Sequence, residues 1–319
     1  MSIAPTTFSR EVSVIARTPL VDGVVELVLR STDQAPLPQW EPGAHIDLVM
    51  APELIRQYSL CGDPTDPRTY RVAIRREFAG RGGSIYAHGL NTDDVVTIRG
   101  PRNHFPLHDG AAYIFVAGGI GITPILPMIR RVDADGLPWR LHYMGHSRAS
   151  MPYLPELTEL DRSRGLVHVA PSSESGRIRI EDVLTSADAG STVYACGPSE
   201  LLHDVEHTSA EIGLRHYAER FAAELIDNLV DSPFVARLAT TGIELRVPAD
   251  RTLLDILLDA DIDVLTSCEE GTCGSCEVPV IDGEPDHRDT VLTADERASC
   301  DRMLVCVSRS RTPTIVLDL

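Results

Sequence analysis

Up to position 107 the apolar residues fall in short runs separated by turn formers. EVSVIARTPL and GVVELVLR are rich in Val, Ile and Leu. Pro36, Pro38, Pro42 and Gly43 follow, and HIDLVM, RQYSL, YRVAIRRE and VVTIRG resume the pattern. Short aliphatic runs bounded by Pro and Gly predict regularly spaced strands, hence an antiparallel β-barrel or sandwich. Near Ala111 the pattern changes. AAYIFVAGG is almost continuously apolar, as expected of a strand covered on both faces of a parallel sheet. ITPILPMIRRV, WRLHYMGH, MPYLPELTEL, LVHVAP, STVYACGP and SELLHDVEHTSAEIG then alternate between helical and strand character, which predicts an α/β domain. AAELIDNLVDSP (222–233) reads as a connection, although its periodicity also allows a helix. From about Phe234 a small α+β unit begins. FVARLA and IELRVP flank a hairpin turn at Thr241-Gly242, TLLDILLDADI has helical spacing, and TIVLDL closes as a strand. The expected organisation is a barrel over 1–107, an α/β domain over 108–228, a linker over 229–236 and a third domain over 237–319.

Charge and composition narrow the setting. The 319 residues carry a net charge of −18, and all 29 basic residues are arginine. Such a balance repels nucleic acid and anionic membrane surfaces, and it permits steering toward a basic protein partner. No apolar run approaches the ~18 residues of a membrane span, and MSIAPTTFSR lacks an apolar signal core. A monomeric cytoplasmic protein is expected.

Five of the seven cysteines lie in the last 52 positions, which in a reducing compartment points to metal ligation before disulfides. Cys268, Cys273 and Cys276 form C-x4-C-x2-C, and Cys306 follows 30 positions later. That is the spacing of plant-type 2Fe-2S ferredoxins, in which two irons each take two thiolates and the fourth ligand returns from a distant segment. Gly271 and Gly274 let the loop backbone approach the sulfides and point N–H groups at them. A zinc site would favour paired C-x2-C knuckles and often histidine, and the loop has neither. Cys300, in the polar stretch ERASCDR, is the rival fourth ligand to Cys306, whose MLVCVS surroundings would shield a cluster. Cys61 and Cys300 are expected to be structural.

Two glycine-rich turns suit phosphate. In Gly80-Arg81-Gly82-Gly83-Ser84, consecutive N–H groups are exposed if a helix starts at Ser84, and Arg81 adds charge; a hairpin turn is the alternative. Gly118-Gly119-Ile120-Gly121-Ile122-Thr123-Pro124 follows the buried strand YIFVA. It is not G-x-G-x-x-G, yet it allows a sharp turn and close approach to a pyrophosphate. Thr123 is placed to cap the following helix and Pro124 to be its first residue. Cys196-Gly197-Pro198 ends a second apolar strand, where ligands of open α/β sheets bind.

Taken together, SCEEGTCGSC, MLVCVSRSR and the motifs that precede them resemble the phthalate dioxygenase reductase family over essentially the whole chain. Arg56-Gln57-Tyr58-Ser59 resembles the R-x-Y-S strand of the wider ferredoxin reductase superfamily; by itself the tetrapeptide would pass as an ordinary strand. The resemblance implies a flavin barrel, a nucleotide domain and a β-grasp 2Fe-2S ferredoxin domain. It places Tyr58 on the isoalloxazine, Ser59 near flavin N5, and Arg56, Arg81, Gly82, Gly83 and Ser84 at the phosphate, with GPRNHFPL (100–107) as the exit from the barrel. No adenine-binding insertion is visible, and the family implies FMN and not FAD. It further places Gly118, Gly119, Gly121, Thr123 and Pro124 at the nucleotide, Cys196, Gly197 and Pro198 beside nicotinamide C4, and Ser147-Arg148 near the adenosine. Arginine there serves NADH or NADPH, with NADH favoured. Phe221 resembles the aromatic that covers the flavin, although a core position suits a Phe equally well. None of the scattered histidines is assigned a catalytic role.

The implied activity is oxidation of NAD(P)H by hydride transfer to FMN, followed by single-electron transfer through the 2Fe-2S cluster to an oxygenase: a Rieske-type dioxygenase or demethylase, or a haem monooxygenase. The alternatives are a stand-alone flavin or quinone reductase with a small-molecule acceptor, and a non-enzymatic nucleotide sensor with a structural metal.

Overall fold

A computed structural model of the chain describes residues 8–51, 54–78, 82–188, 190–221, 231–266 and 268–319. Arg81 and most of the 222–233 connection lie outside the described residues. The chain divides into two compact units, Met1–Arg220 and Phe221–Leu319, so barrel and nucleotide domain form one unit. Among the described residues no helix is long and apolar enough to cross a membrane.

The first apolar runs become β1 (Ser9–Val21), β2 (Val24–Ser31), β3 (Ala44–Ala51), β4 (Leu54–Ser59), β5 (Thr69–Arg75) and β6 (Val95–Asn103), with helix α1 (Gly83–Gly89) between the last two. They form one antiparallel sheet in the order β4-β3-β6-β1-β2-β5. Leu60, just past β4, bridges Val72 of β5 and brings the two edges together as a barrel. The two-residue side-chain period explains the core: Leu27 and Leu29, Ile46 and Leu48, and Val72 and Ile74 point inward and are buried.

The α/β part runs β7 (Ala112–Gly118), α2 (Ile122–Ala134), β8 (Trp139–Gly145), α3 (Leu154–Asp161), β9 (Val167–Pro171), α4 (Ser172–Ser175), α5 (Ile180–Leu184), β10 (Ser191–Cys196), α6 (Ser199–Ile212) and β11 (Arg215–Glu219). Its five strands are all parallel, in the order β11-β10-β7-β8-β9. The unbroken apolar run of β7 now has its reason. Tyr113, Phe115 and Ala117 share a core with Ile122, Ile125 and Ile129 of α2. Ile114 and Val116 share the opposite one with Val183 of α5 and Leu202 and Val205 of α6.

In the second unit, β12 (Phe234–Leu238), β13 (Glu244–Val247), α7 (Leu253–Asp259), β14 (Glu277–Asp282), β15 (Pro285–Asp286), α8 (Ala294–Ser299), β16 (Arg302–Leu304), β17 (Arg309–Ser310) and β18 (Thr314–Leu317) follow in turn. The main sheet has the order β13-β12-β18-β14-β16, with β12 and β18 parallel, the mixed pattern of a β-grasp. Strand β12 opens at Phe234, inside the 229–236 stretch expected as linker, because Phe234, Ala236 and Leu238 are needed in the core. Helix α7 begins with a reciprocal cap: Thr252 Oγ1 accepts from the Asp255 N–H at 3.0 Å, and the Asp255 carboxylate accepts from the Thr252 N–H at 3.0 Å. The Leu254 N–H then donates to the Val305 carbonyl, one residue before Cys306. Thr252→Ala should lower the stability of this unit by about 1 kcal/mol, read as a shift of the denaturation midpoint followed by a probe confined to residues 234–319.

Candidate functional site: a nucleotide cradle, a flavin strand and paired thiols

Strand order reverses between β7 and β10, which lie side by side while the chain runs outward in both directions. The crevice beyond the carboxyl ends of such a pair is where open α/β sheets bind ligands. Two loops meet there backbone to backbone. A Cβ at Gly121 would collide with the Cys196 carbonyl. One at Gly118 would lie 2.6 Å from Pro198 Cδ, and one at Gly197 would lie 3.0 Å from Gly118 Cα. Gly119 is needed for another reason: its φ of +55° is left-handed. The glycines of G-G-I-G and C-G-P are therefore one feature, a thin floor at the amino end of α2.

The helix starts earlier than the sequence predicts. Gly121 occupies the N-cap, and Thr123 and Pro124 are the second and third helical residues. Thr123 is buried and donates Oγ1–H to the Ile120 carbonyl at 2.9 Å, so it stabilises the turn from within instead of capping it. Pro127 also lies within α2.

Cys196 is fully buried, and burial, reinforced by Glu219, holds its thiol well above the ordinary range. It is a neutral thiol and not a thiolate nucleophile. Glu219 pairs with Cys196 in the β10–β11 register. Its Oε2 is buried without a hydrogen-bond partner, and burial pushes its carboxyl up to about 8. Sequence reasoning missed this residue, because a lone Glu at the end of a short strand carries no signal until the register sets it beside Cys196.

On β4, Arg56 and Tyr58 alternate on one face and Ser59 is buried at the end. A Cβ on Gly83 would collide with the Arg56 side chain, so the glycine turn lies directly against the arginine stem. Gly82 is left-handed (φ +83°) at the start of α1. Ser84 is used locally: its hydroxyl accepts from the Glu77 N–H at 2.9 Å. Tyr58 stays protonated because burial raises its hydroxyl. A network the sequence did not reveal ties β4 to its neighbours. Gln57 Nε2 donates to Asp47 Oδ1 at 3.1 Å, and Arg102 pairs with the same buried oxygen at 2.5 Å. Beside it, His45 lies opposite Ser59, is buried, stacks on His104 at 5.5 Å, and leaves Nε2 without a partner. Burial and the Arg102 charge keep this histidine neutral.

Ser147 and Arg148 follow β8. Ser147 closes a small capping box with Ser150, and Arg148 Nε lies 3.2 Å from Glu174 Oε2 on α4. Phe221 is exposed, two residues beyond β11, at the division between the units.

In the second unit Cys268, Cys273, Cys276 and Cys306 are all buried. All four are free thiols, and that of Cys268 lies against Cys273 and that of Cys276 against Cys306. No three His, Cys, Asp or Glu side chains among the described residues surround one point as a single ion requires. Two pairs of thiols are what a dinuclear cluster needs, and the zinc alternative needs four ligands around one ion. The loop is built to receive sulfur charge: the Glu270 and Thr272 N–H groups donate to Cys268 Sγ at 3.3 and 3.4 Å, and that of Ser275 to Cys273 Sγ at 3.4 Å. Gly271 and Gly274 (φ +69° each) turn the backbone to allow it. Cys300 takes no part: it ends α8 in a left-handed conformation with its thiol toward the Arg297 carbonyl.

Comparison with known proteins agrees with this geometry. Residues 237–311 match the 2Fe-2S iron–sulfur cluster binding domain. Phthalate dioxygenase reductase of Burkholderia cepacia is 36% identical over 323 residues, covering 95% of this chain and 99% of that one. The chain belongs to the phthalate dioxygenase reductase family. The vanillate O-demethylase oxidoreductase of a Pseudomonas strain is likewise 36% identical, over 97% of this chain and 99% of its own length. A solved phthalate dioxygenase reductase, described as modular for electron transfer from pyridine nucleotides to [2Fe-2S], superposes with a TM-score of 0.71 at 34% identity over 98% of both chains. An intact type IV self-sufficient cytochrome P450 monooxygenase superposes with a TM-score of 0.89 at 40% identity; the match covers 98% of this chain and 41% of that one. The chain is thus an oxidoreductase of this family, with a 2Fe-2S iron–sulfur cluster binding domain over residues 237–311.

Two tests follow from the geometry. Cys300→Ser should retain the visible absorption of the cluster and Cys306→Ser should lose it. Because the native pKa of Glu219 lies above the ordinary carboxylate range, the native state holds that proton more tightly, and stability should fall as pH rises from about 4.5 through 8. Thermal melts at pH 5.5 and 8.5 should show a smaller loss in Glu219→Gln than in the natural chain.

Proposed function

We propose that this chain is the reductase of an oxygenase system, taking hydride from NADH onto FMN and delivering single electrons to a separate oxygenase through its 2Fe-2S domain. The observation that carries this reading is the two-and-two pairing of the four buried thiols on the same chain as the nucleotide cradle. A reductase that served only a small acceptor through its flavin would have no use for a one-electron relay. When bound, the flavin accepts two electrons together and releases them singly, which is the conversion the cluster requires.

The chain's own residues do the positioning. Gly118, Gly119, Gly121 and Gly197 keep the crevice floor thin enough for a pyrophosphate to approach the amino end of α2. The neutral Cys196 thiol and the Glu219 carboxyl bound the nicotinamide end of the crevice. Ser59 would offer its hydroxyl to the flavin ring, Tyr58 would pack on that ring, and Arg56 with the Gly82-Gly83 turn would hold the phosphate. Catalysis here is the holding of two rings at reacting distance, which supplies several kcal/mol that free reactants lack.

Donor choice rests on Glu174. Its carboxylate neutralises Arg148, the charge a 2′-phosphate would seek, and an acidic group beyond a nucleotide-domain strand suits an unphosphorylated ribose. This favours NADH. The acceptor reading rests on relatives named as reductases of dioxygenases and a demethylase, and on a self-sufficient P450 that carries a like segment in its own chain. From Arg237 onward there are 17 acidic and 8 basic residues, so the ferredoxin domain suits a basic docking face.

Adding NADH anaerobically to the purified holoprotein should bleach flavin and iron–sulfur absorption together; a flavin that bleaches beside an unchanged cluster would refute the relay. Glu174→Gln should raise kcat/KM for NADPH about tenfold while changing that for NADH less than about threefold. Reduction of cytochrome c, a basic acceptor, should slow several-fold between about 50 and 500 mM salt, and a salt-independent rate would count against electrostatic docking.

A further inference from the structure

We propose that Arg130 is a positioning residue for hydride transfer, the centre of a polar clamp that fixes the flavin strand to the helix carrying the nucleotide loop. The proposal rests on the function proposed above, and its observations lie outside the cradle itself.

Arg130 is on α2, about two and a half turns from Gly121, and its guanidinium reaches into the barrel. Its Nη1 donates to the carbonyls of Cys61 at 2.9 Å and Gly62 at 2.7 Å. Those carbonyls stand two and three positions after Ser59, where β4 ends. From the barrel side Arg71 on β5 donates Nη2–H to the same Cys61 carbonyl at 2.8 Å. Two guanidiniums therefore converge on one oxygen, an arrangement that repels unless carboxylates intervene. They do: Glu26 on β2 lies 3.4 Å from Arg71 Nε, and Glu156 on α3 lies 3.5 Å from Arg71 Nη2 and pairs with Arg130. Tyr153 completes the closure. Its backbone is left-handed (φ +67°), its hydroxyl donates to Glu26 at 2.7 Å and lies 3.2 Å from Cys61 Sγ, and its ring lies beneath the Arg71 guanidinium at 5.4 Å.

The clamp joins groups from both halves of the first unit. Glu26, Cys61, Gly62 and Arg71 come from the barrel, and Arg130, Tyr153 and Glu156 from the α/β domain. Its charges balance, with two arginines against two glutamates, and its side chains are largely shielded. Such a network adds little net stability compared with an apolar contact, but it is specific in geometry, because removing one member strands the others. A helix is stiff, so holding α2 by Arg130 also holds its amino end. Ser59 is thereby set at a fixed distance from the Gly121–Cys196 contact, hence flavin N5 from nicotinamide C4.

The test uses full-length holoprotein in stopped-flow with NADH and with its 4-deuterated form, together with hydrogen exchange. Arg130→Gln should slow flavin reduction at saturating NADH about tenfold with the isotope effect fully expressed, leaving NADH affinity and FMN content within about twofold. Arg130→Lys should recover part of the rate. Exchange should quicken both at 60–62 and at 119–122 in Arg130→Gln. An unchanged rate with only a lowered melting temperature would overturn the proposal, because it would leave Arg130 a merely stabilising residue. If Arg130→Gln does not fold, Tyr153→Phe, which keeps the ring and loses one hydroxyl, should slow reduction about threefold; an unchanged rate there overturns it equally. If the natural chain itself is not reduced by NADH, the proposed function fails, while coupled exchange at the two loops still decides the clamp.

Discussion

A carbon atom that is absent organises the first unit. No Cβ fits at Gly121, because the Cys196 carbonyl already occupies that space. The contact sits between the loops that follow β7 and β10, at the reversal of strand order and the amino end of α2. The consequences reach outward from it. Cys196, with its carbonyl against Gly121, is fully buried, and its thiol stays neutral. Glu219, paired with Cys196 across β10 and β11, has an orphaned oxygen in a site that disfavours charge. The same helix reaches across to the barrel through Arg130.

Iron–sulfur binding obeys a different constraint, the handling of negative charge. Four thiolates and the inorganic sulfides need compensation, and this unit is itself acidic. The structure meets the demand locally, with backbone N–H groups directed at sulfur by left-handed glycines. That solution leaves the surface charge free for another purpose, and most of the acidic side chains in the second unit stay outside its apolar core.

The sequence made legible those features whose signals are local and periodic. Alternating runs gave the barrel and the unbroken run of β7 gave the two-sided sheet, because in each case one stretch of chain contains the whole signal; the spacing of three nearby cysteines did the same for most of the cluster ligands. Cys306 could be preferred over Cys300 because the apolar residues around it are sequence neighbours. The start of α2 was misplaced by two residues for the opposite reason. Thr123 and Pro124 have the composition of a helix start, but the contact between Gly121 and Cys196, 75 positions away, decides where the helix begins. The hydroxyl of Ser84, in turn, accepts from the Glu77 N–H, a contact that no local pattern announces.

The polar groups that sequence reasoning overlooked share one property: the residues they lie against come from elsewhere in the chain. Asp47 meets Arg102 across β3 and β6, Glu219 meets Cys196 across β10 and β11, and Glu26 meets Tyr153 from the other half of the unit. Asp47 and Glu26 are isolated charges in apolar runs, and in an exposed strand each would be an ordinary solvated residue. Burial makes such a charge costly, so its persistence in the fold requires a partner or a role. Asp47 and Glu26 have partners. Glu219 has an orphaned oxygen, and it lies at the end of the sheet where the crevice opens. A satisfied buried charge of this kind holds two elements together, as Asp47 does for β3 and β6 and Glu26 for β2 and the turn before α3.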